Sequence, residues 1–239
     1  MEKMKTYRKR PLFLFFLCIC CFIFLTFFCL LYGRVLQELQ NQTLIIDRGF
    51  AYITLQHESD PTQLPQTQES LDGFDELFAR LTENQQKYTY YEIYRQPLFM
   101  DGDQHESIQI SNNVISDFSL EINIGRGFRQ EDFSSEKENP IPIILGSDLK
   151  DSYNLNDEFW AQYLYEDYLF KVIGFLSPGS QIQRSTGTIN LDSYYVMPSV
   201  EFTYRPTTET QYISQIIHRA NKTSGKIRVS PENLQEVKN

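Results

Sequence analysis

The first strong pattern is an uncharged run from Pro11 to Tyr32, rich in Phe, Leu, Ile and Cys. At about 1.5 Å of rise per residue, such a helix spans a hydrocarbon core of about 30 Å, so residues 11–32 predict a transmembrane helix. Val35, Leu36 and Leu39 continue an apolar stripe among polar neighbours and predict a stalk over 33–46. Beyond it, Phe50–Gln56 reads as a strand and Asp60–Gln68, with Pro61 and Pro65, as a loop. Ser70 is placed to cap a helix whose apolar face is Leu71, Phe74, Leu77, Phe78 and Leu81 and which ends near Lys87. Tyr88–Arg95, aromatic and β-rich, returns as one strand and completes a strand-helix-strand unit.

The middle of the chain is β-rich. Asp101-Gly102 predicts a turn, and Ile108–Ile122 suits strand and helix equally. Pro140–Leu145 predicts a short strand at a sheet edge or with its prolines at the start, and Ser147–Tyr153 a short helix. Glu158–Tyr163 and Leu169–Leu176 predict a hairpin around Glu166-Asp167, the second strand central in its sheet and ended by Pro178-Gly179. Tyr194–Tyr204 reads as a strand. Thr207 or Thr208 can cap a helix to about Asn221, with Tyr212, Ile213, Ile216 and Ile217 on one face, before a strand at Lys226–Val229. Two strand-helix-strand units around a β-rich middle predict an α+β class: a ferredoxin-like βαβ/βαβ subdomain carrying an inserted β-rich subdomain over about 108–190.

Charge gives the orientation. Residues 1–10 hold Lys3, Lys5, Arg8, Lys9 and Arg10 against Glu2, a net of +4, so the chain's net −9 leaves −13 on the remainder. The basic segment 1–10 is expected in the cytoplasm and the body 47–239 outside it. The apolar run exceeds a signal-peptide core and no small-residue cleavage site follows, so the helix is expected to remain as an anchor. An acidic body argues against nucleic acid as a partner and against lying flat on anionic lipid; the bilayer is met through one helix. All four cysteines, Cys18, Cys20, Cys21 and Cys29, fall inside the apolar run, which leaves no disulfide framework or thiolate metal site in the body.

Candidate chemistry is sparse. No G-x-x-x-x-G-K-[ST] loop is present, so P-loop ATP hydrolysis is excluded. Gly125-Arg126-Gly127 reads as a turn held by Arg126, with Asp132 near enough in sequence to pair with it. Asp101-Gly102-Asp103-Gln104-His105-Glu106 offers hard ligands for a cation, but its spacing matches no EF-hand and a solvated turn explains it better. His57, His105 and His218 are scattered, with no nucleophile elbow or H-E-x-x-H helix. Glu131-Asp132 and Glu166-Asp167 fit solvated turns. Of the aromatic run Phe159, Trp160, Tyr163, Tyr165, Tyr168 and Phe170, strand alternation buries about half and leaves the rest as a candidate binding face. No enzyme, cofactor or metal site is expected.

Gly125-Arg126-Gly127-Phe128, then Asp132, the Ile141–Leu145 strand, Leu155-Asn156-Asp157 and Phe170-Lys171-Val172-Ile173-Gly174-Phe175 occur in that order. The sequence thereby resembles the extracytoplasmic domain of MacB/FtsX-type ABC transporter permeases, with their "GR-x-F-x-x-x-D" loop, "leucine-Gly-Asp" turn and "K-V-x-G" strand. Asn156 stands where the family has glycine, and asparagine is the residue that next best tolerates a left-handed backbone. The three further membrane helices of the family do not follow Lys226–Val229, which suggests a split permease or a relative reduced to anchor and domain. The resemblance implies a structural role for Gly125, Arg126, Phe128, Asp132, Asn156, Asp157, Lys171, Val172 and Gly174. It also implies partners: a multi-pass permease subunit or a second copy of the chain, and a separate cytoplasmic ABC ATPase. The function implied is coupling to export of a peptide or lipid, or to activation of a partner. The alternative is a stand-alone single-pass accessory or sensor protein that binds an extracellular peptide.

Overall fold

In the computed structural model, the strand expected over Tyr88–Arg95 breaks at Glu92, and its halves serve different sheets: β2 (Tyr88–Tyr91) and β3 (Ile93–Arg95). The structure describes residues 24–26, 32, 50–58, 60–83, 86–133, 140–184, 187–199 and 205–237. It divides into units Met1–Phe50 and Ala51–Asn239. In the first, Phe24–Thr26 and Tyr32 are helical and exposed; Pro11, the four cysteines and the stalk residues Val35, Leu36 and Leu39 lie outside the described residues. Among the described residues no helix is long and apolar enough to cross a membrane.

The second unit is mixed α+β. Its small sheet orders β1 (Ala51–Thr54), β14 (Lys226–Val229) and β2, each pair antiparallel. β1 and β2 are therefore parallel with β14 between them, a split strand-helix-strand unit around α1 (Gln68–Glu83). Thr67, rather than Ser70, starts α1: its Oγ1 accepts from the Ser70 N–H at 3.3 Å. The small sheet has three strands among the described residues. The strand that would complete a second unit, β13 (Tyr195–Pro198), pairs instead in the large sheet with β6 (Ser107–Ile110) and β8 (Ile141–Leu145). The expected pair of βαβ units within one ferredoxin-like sheet is corrected accordingly.

The large sheet runs β3-β6-β13-β8-β10-β9-β4-β5, so it extends from Ile93 to Pro198, beyond 108–190 on both sides. Here β9 is Glu158–Tyr163, β10 Glu166–Leu176, β4 Leu98–Met100 and β5 Asp103–His105. β10 is central as expected and also pairs with β7 (Ile122–Gly125). The ambiguous 108–122 stretch resolves into β6, the helix α2 (Asn112–Asp117) and the start of β7. β8 is interior, not an edge. Its prolines are tolerated because β13 reaches only Ile144 and Leu145, leaving Pro140 and Pro142 at the strand start. The β9–β10 turn falls on Leu164-Tyr165, both left-handed (φ 53° and 67°), which moves Glu166 and Asp167 into the strand opposite Tyr163 and Gln162. Such a two-residue turn matches the twist of its strands. The Asp101-Gly102 turn between β4 and β5 has the same form (φ 52° and 88°). The short helix expected over Ser147–Tyr153 is a 3-10 turn, Ser147–Leu149, and β11 (Gln181–Arg184) and β12 (Gly187–Asn190) form a separate antiparallel pair.

The helix α3 (Glu209–Thr223) is capped by Thr208 in a reciprocal box with Gln211. Ile216 and Ala220 pack with Leu71 and Phe74 of α1. On the side toward the large sheet, however, α3 buries Gln215, His218 and Lys222, which the apolar-face reading did not anticipate. Below the helices, Tyr90, Ile227 and Val229 pack with Phe78, Leu81 and Leu234; Tyr91 and Tyr52 turn to the opposite side and join the large-sheet cluster of Ile108, Ile110, Ile144 and Leu176.

Candidate functional site

The motif segments of the sequence meet along one edge of β10. β9 occupies that edge up to Glu158, opposite Lys171. The Leu155-Asn156-Asp157 turn continues the pairing: the Asn156 N–H donates to the Val172 carbonyl and the Val172 N–H to the Asp157 carbonyl, each at 2.9 Å. The next position belongs to the other segment, where the Arg126 N–H donates to the Ile173 carbonyl at 2.9 Å and Gly125 lies opposite Gly174. Two segments separated by a further strand in sequence thus abut end to end on three residues, Val172–Gly174. A register shift against β8 sits at the same place. It adds one residue to β10 and bends the strand there.

Glycine is required at this contact. A Cβ at Gly125 would lie 2.8 Å from the Gly174 Cα and 2.7 Å from Leu155 Cδ1, and nearer still to the Ile173 carbonyl; φ there is +81°. A Cβ at Gly174 would lie 2.6 Å from the Arg126 carbonyl. Gly127 has no such constraint, since its nearest neighbours would be 3.8 Å or more away. Asn156 has φ 71°, a left-handed conformation that asparagine tolerates better than other residues with a Cβ. The Asp157 carboxylate accepts from the Asn154 N–H at 2.7 Å and closes the turn.

Arg126 pairs with Asp132 through both guanidinium nitrogens, Nη2 to Oδ1 at 3.1 Å, and donates from Nη1 to the Gly127 carbonyl at 3.0 Å. The Arg129 N–H also donates to Asp132 Oδ2 at 2.7 Å. Burial pushes the Asp132 carboxyl upward, but the hydrogen bonds from Arg126 and the Arg129 N–H, with both positive charges, hold it below the ordinary range. Arg126 in turn is raised, chiefly by its hydrogen bond to Asp132. Phe128 meets Phe133 edge to face at 5.6 Å and packs on the large-sheet core. Lys171 bridges to Glu158 at 3.2 Å on the exposed face. Every member of the motif set is therefore engaged in loop geometry or strand pairing.

Other candidates are not brought to this place. His57 Nε2 lies 3.1 Å from the Ala220 carbonyl and 2.9 Å from Thr223 Oγ1, which ties the segment after β1 to the end of α3. His105 sits edge-on to Tyr195. His218 is buried between the rings of Tyr94 and Tyr163, its Nδ1 3.3 Å from the Tyr163 hydroxyl. Burial, then the charges of Lys222 and Arg219, hold it well below the ordinary histidine range. Lys222 lies 3.9 Å from Glu92, at the break between β2 and β3, and 4.3 Å above the Phe78 ring. This polar joint was missed; its only sequence signal is a glutamate inside an aromatic strand and polar residues at 215, 218 and 222, three and four apart. Among the described residues, no group of three or more His, Cys, Asp or Glu side chains lies close enough to hold a metal ion.

Two solved structures with a similar chain path are extracytoplasmic domains. One is the periplasmic region of MacB from Actinobacillus actinomycetemcomitans, at 12% identity and a TM-score of 0.41 over 80% of each chain. Another is the extracellular domain of the ABC-type transporter YknZ from Gram-positive bacteria, at 14% identity and 0.34, covering 78% of this chain and 85% of that one. At these values the likeness is one of chain path. No family model and no curated protein matches the sequence.

Proposed function

We propose that this chain is an ABC transporter permease-like membrane protein whose extracytoplasmic domain works by binding and mechanical coupling, without chemistry of its own. The observation that carries the reading is the convergence of its family-like segments: the Gly125-Arg126 loop, the Asn156-Asp157 turn and the Lys171–Gly174 stretch of β10 lock together through backbone contacts. The residues that resemble the family are those that shape the domain. In this reading residues 11–32 anchor the chain, the N-terminus is cytoplasmic, and the stalk about Val35, Leu36 and Leu39 carries motion between bilayer and domain. Arg126 and Asp132 keep the loop rigid, so that displacement of the domain is passed on instead of absorbed. A separate cytoplasmic ABC ATPase supplies the energy, and a multi-pass subunit or a second copy completes the membrane path for a peptide or lipid.

The test is purification of the tagged full chain from its native membrane in mild detergent. Recovery of an ABC ATPase together with a multi-pass subunit or a second copy is the expected result. Recovery of neither would sink the transporter reading. A second reading, a stand-alone accessory protein that binds an extracellular peptide, has one observation in its favour: the outward-facing, exposed Trp160 of β9.

A further inference from the structure

On β9 the side chains alternate, and Phe159, Ala161 and Tyr163 face the core. Trp160 faces outward and is 65% exposed. Register places Leu169 of β10 opposite Trp160, and Phe99 of β4 opposite Gln162, two residues along on the same face. Phe99 is itself 39% exposed. Three bulky apolar side chains from three adjacent strands thus share one outer sheet face. An outer sheet face in water is ordinarily polar or covered. An aromatic anchor with aliphatic and aromatic neighbours inside a polar border is the composition of a binding surface, not of a solvated one.

The border decides what fits. Gln104, Gln162 and Asp167 lie on the same face by register, and Asp101 stands in the turn that ends β4. Among the described residues, Lys171 is the cation that register places on this face, and it is already paired with Glu158 at 3.2 Å. No cation lies within ion-pair distance of Asp101 or Asp167 among the described residues. The chain beyond residue 10 carries −13, so the wider field has the same sign. Such a surface repels acidic partners and anionic lipid and draws cationic ones.

We infer that the Phe99–Trp160–Leu169 face docks a cationic polypeptide segment of another protein, one that bears bulky apolar side chains. The apolar groups cover Trp160 and Phe99, and lysine or arginine of the partner meets Asp167 and Asp101. This surface is distinct from the β10 junction behind the transport proposal, and either can fail without the other.

Trp160 is the single tryptophan of the chain, so its fluorescence reports on the face directly. The full chain in phosphatidylcholine nanodiscs would be titrated with short synthetic peptides alternating Lys with Leu, Glu with Leu, and Lys with Ser. The expected result is a blue shift and protection from acrylamide with the Lys/Leu peptide only, weakened by added salt. Phe99→Ser should weaken that binding by about tenfold, with circular dichroism checking the fold. Asp167→Asn, at an exposed position, should reduce the salt dependence. No response to the Lys/Leu peptide, or an equal response to the Glu/Leu peptide, would overturn the proposal. So would Trp160 already shielded from acrylamide before any peptide is added, since the face would then lie against the bilayer.

Discussion

Replacing Gly125 by alanine tests whether the motif segments truly lock on β10. Two costs arise. The first is the left-handed backbone, φ +81°, at about 1 kcal/mol for a residue with a Cβ. The second is the close approach: the new Cβ meets the Ile173 carbonyl and the Gly174 Cα, both backbone, and Leu155 Cδ1. Backbone cannot swing aside as a flexible side chain can. Relief therefore requires β7 to part from β10, straining the Arg126-to-Ile173 hydrogen bond and the Gly125–Gly174 pairing. Overpacking costs about 1–3 kcal/mol and a weakened hydrogen bond about 1 kcal/mol. The loss should total about 3–5 kcal/mol. Gly179→Ala is the control, because Gly179 has nearly the same φ (+78°) but nothing within 4 Å of its Cβ position. It should lose only about 1 kcal/mol. At about 2–4 °C per kcal/mol for a domain of this size, thermal unfolding followed by circular dichroism should separate the two variants by roughly 10 °C. Equal losses would refute the close approach and with it the interlocked junction.

Asp132→Asn should cost about 1–2 kcal/mol at neutral pH, at the low end because Arg126 is 36% exposed and partly screened. Because the Asp132 carboxyl is held below its ordinary range, its contribution is present above the ordinary value near 4 and lost as pH falls through the lower folded value, so the wild type should show a steeper acid limb below about pH 4 than the variant in Tm–pH scans. His218 has the same sign by a different cause. Its lowered folded value means stability present above about pH 6.5 and declining below it, by up to about 1.4 kcal/mol per pH unit, and His218→Gln should flatten the Tm profile between about pH 6.5 and 5. At the left-handed turn positions, Tyr165→Gly should stabilise by about 1 kcal/mol in denaturant unfolding, while Asn156→Val should destabilise by about 1–2 kcal/mol and Asn156→Gly by almost nothing.

Local chemistry was legible where one residue type dictates one conformation. Asp101-Gly102 marked its hairpin, and Thr207 or Thr208 the start of α3, which the structure resolves to Thr208. Strand alternation predicted that about half of the aromatic run is buried, and the structure decides which half: Tyr163, Tyr168 and Phe170 are inside, Trp160 and Tyr165 exposed. The Leu164-Tyr165 turn was not legible, because neither residue favours φ > 0; the pairing of Glu166 and Asp167 with Tyr163 and Gln162 imposes it. The polar face of α3 was missed because periodicity registers apolar positions only. Gln215, His218 and Lys222 are buried by what packs on them, not by their own hydrophobicity.

By itself the sequence determined the strand-rich α+β character, the centrality of β10, the acidic body, the apolar N-terminal run and the order of the motif segments. These follow from side-chain size, charge and spacing, which act over a few residues. The tertiary structure decided that Tyr88–Arg95 divides at Glu92 between two sheets, that β13 leaves the small sheet for the large one, and that Gly125 and Asn156 come together on Val172–Gly174. Strand pairing depends on which backbone edges are free once the chain has collapsed. That is a competition among distant segments, which no local window of sequence contains.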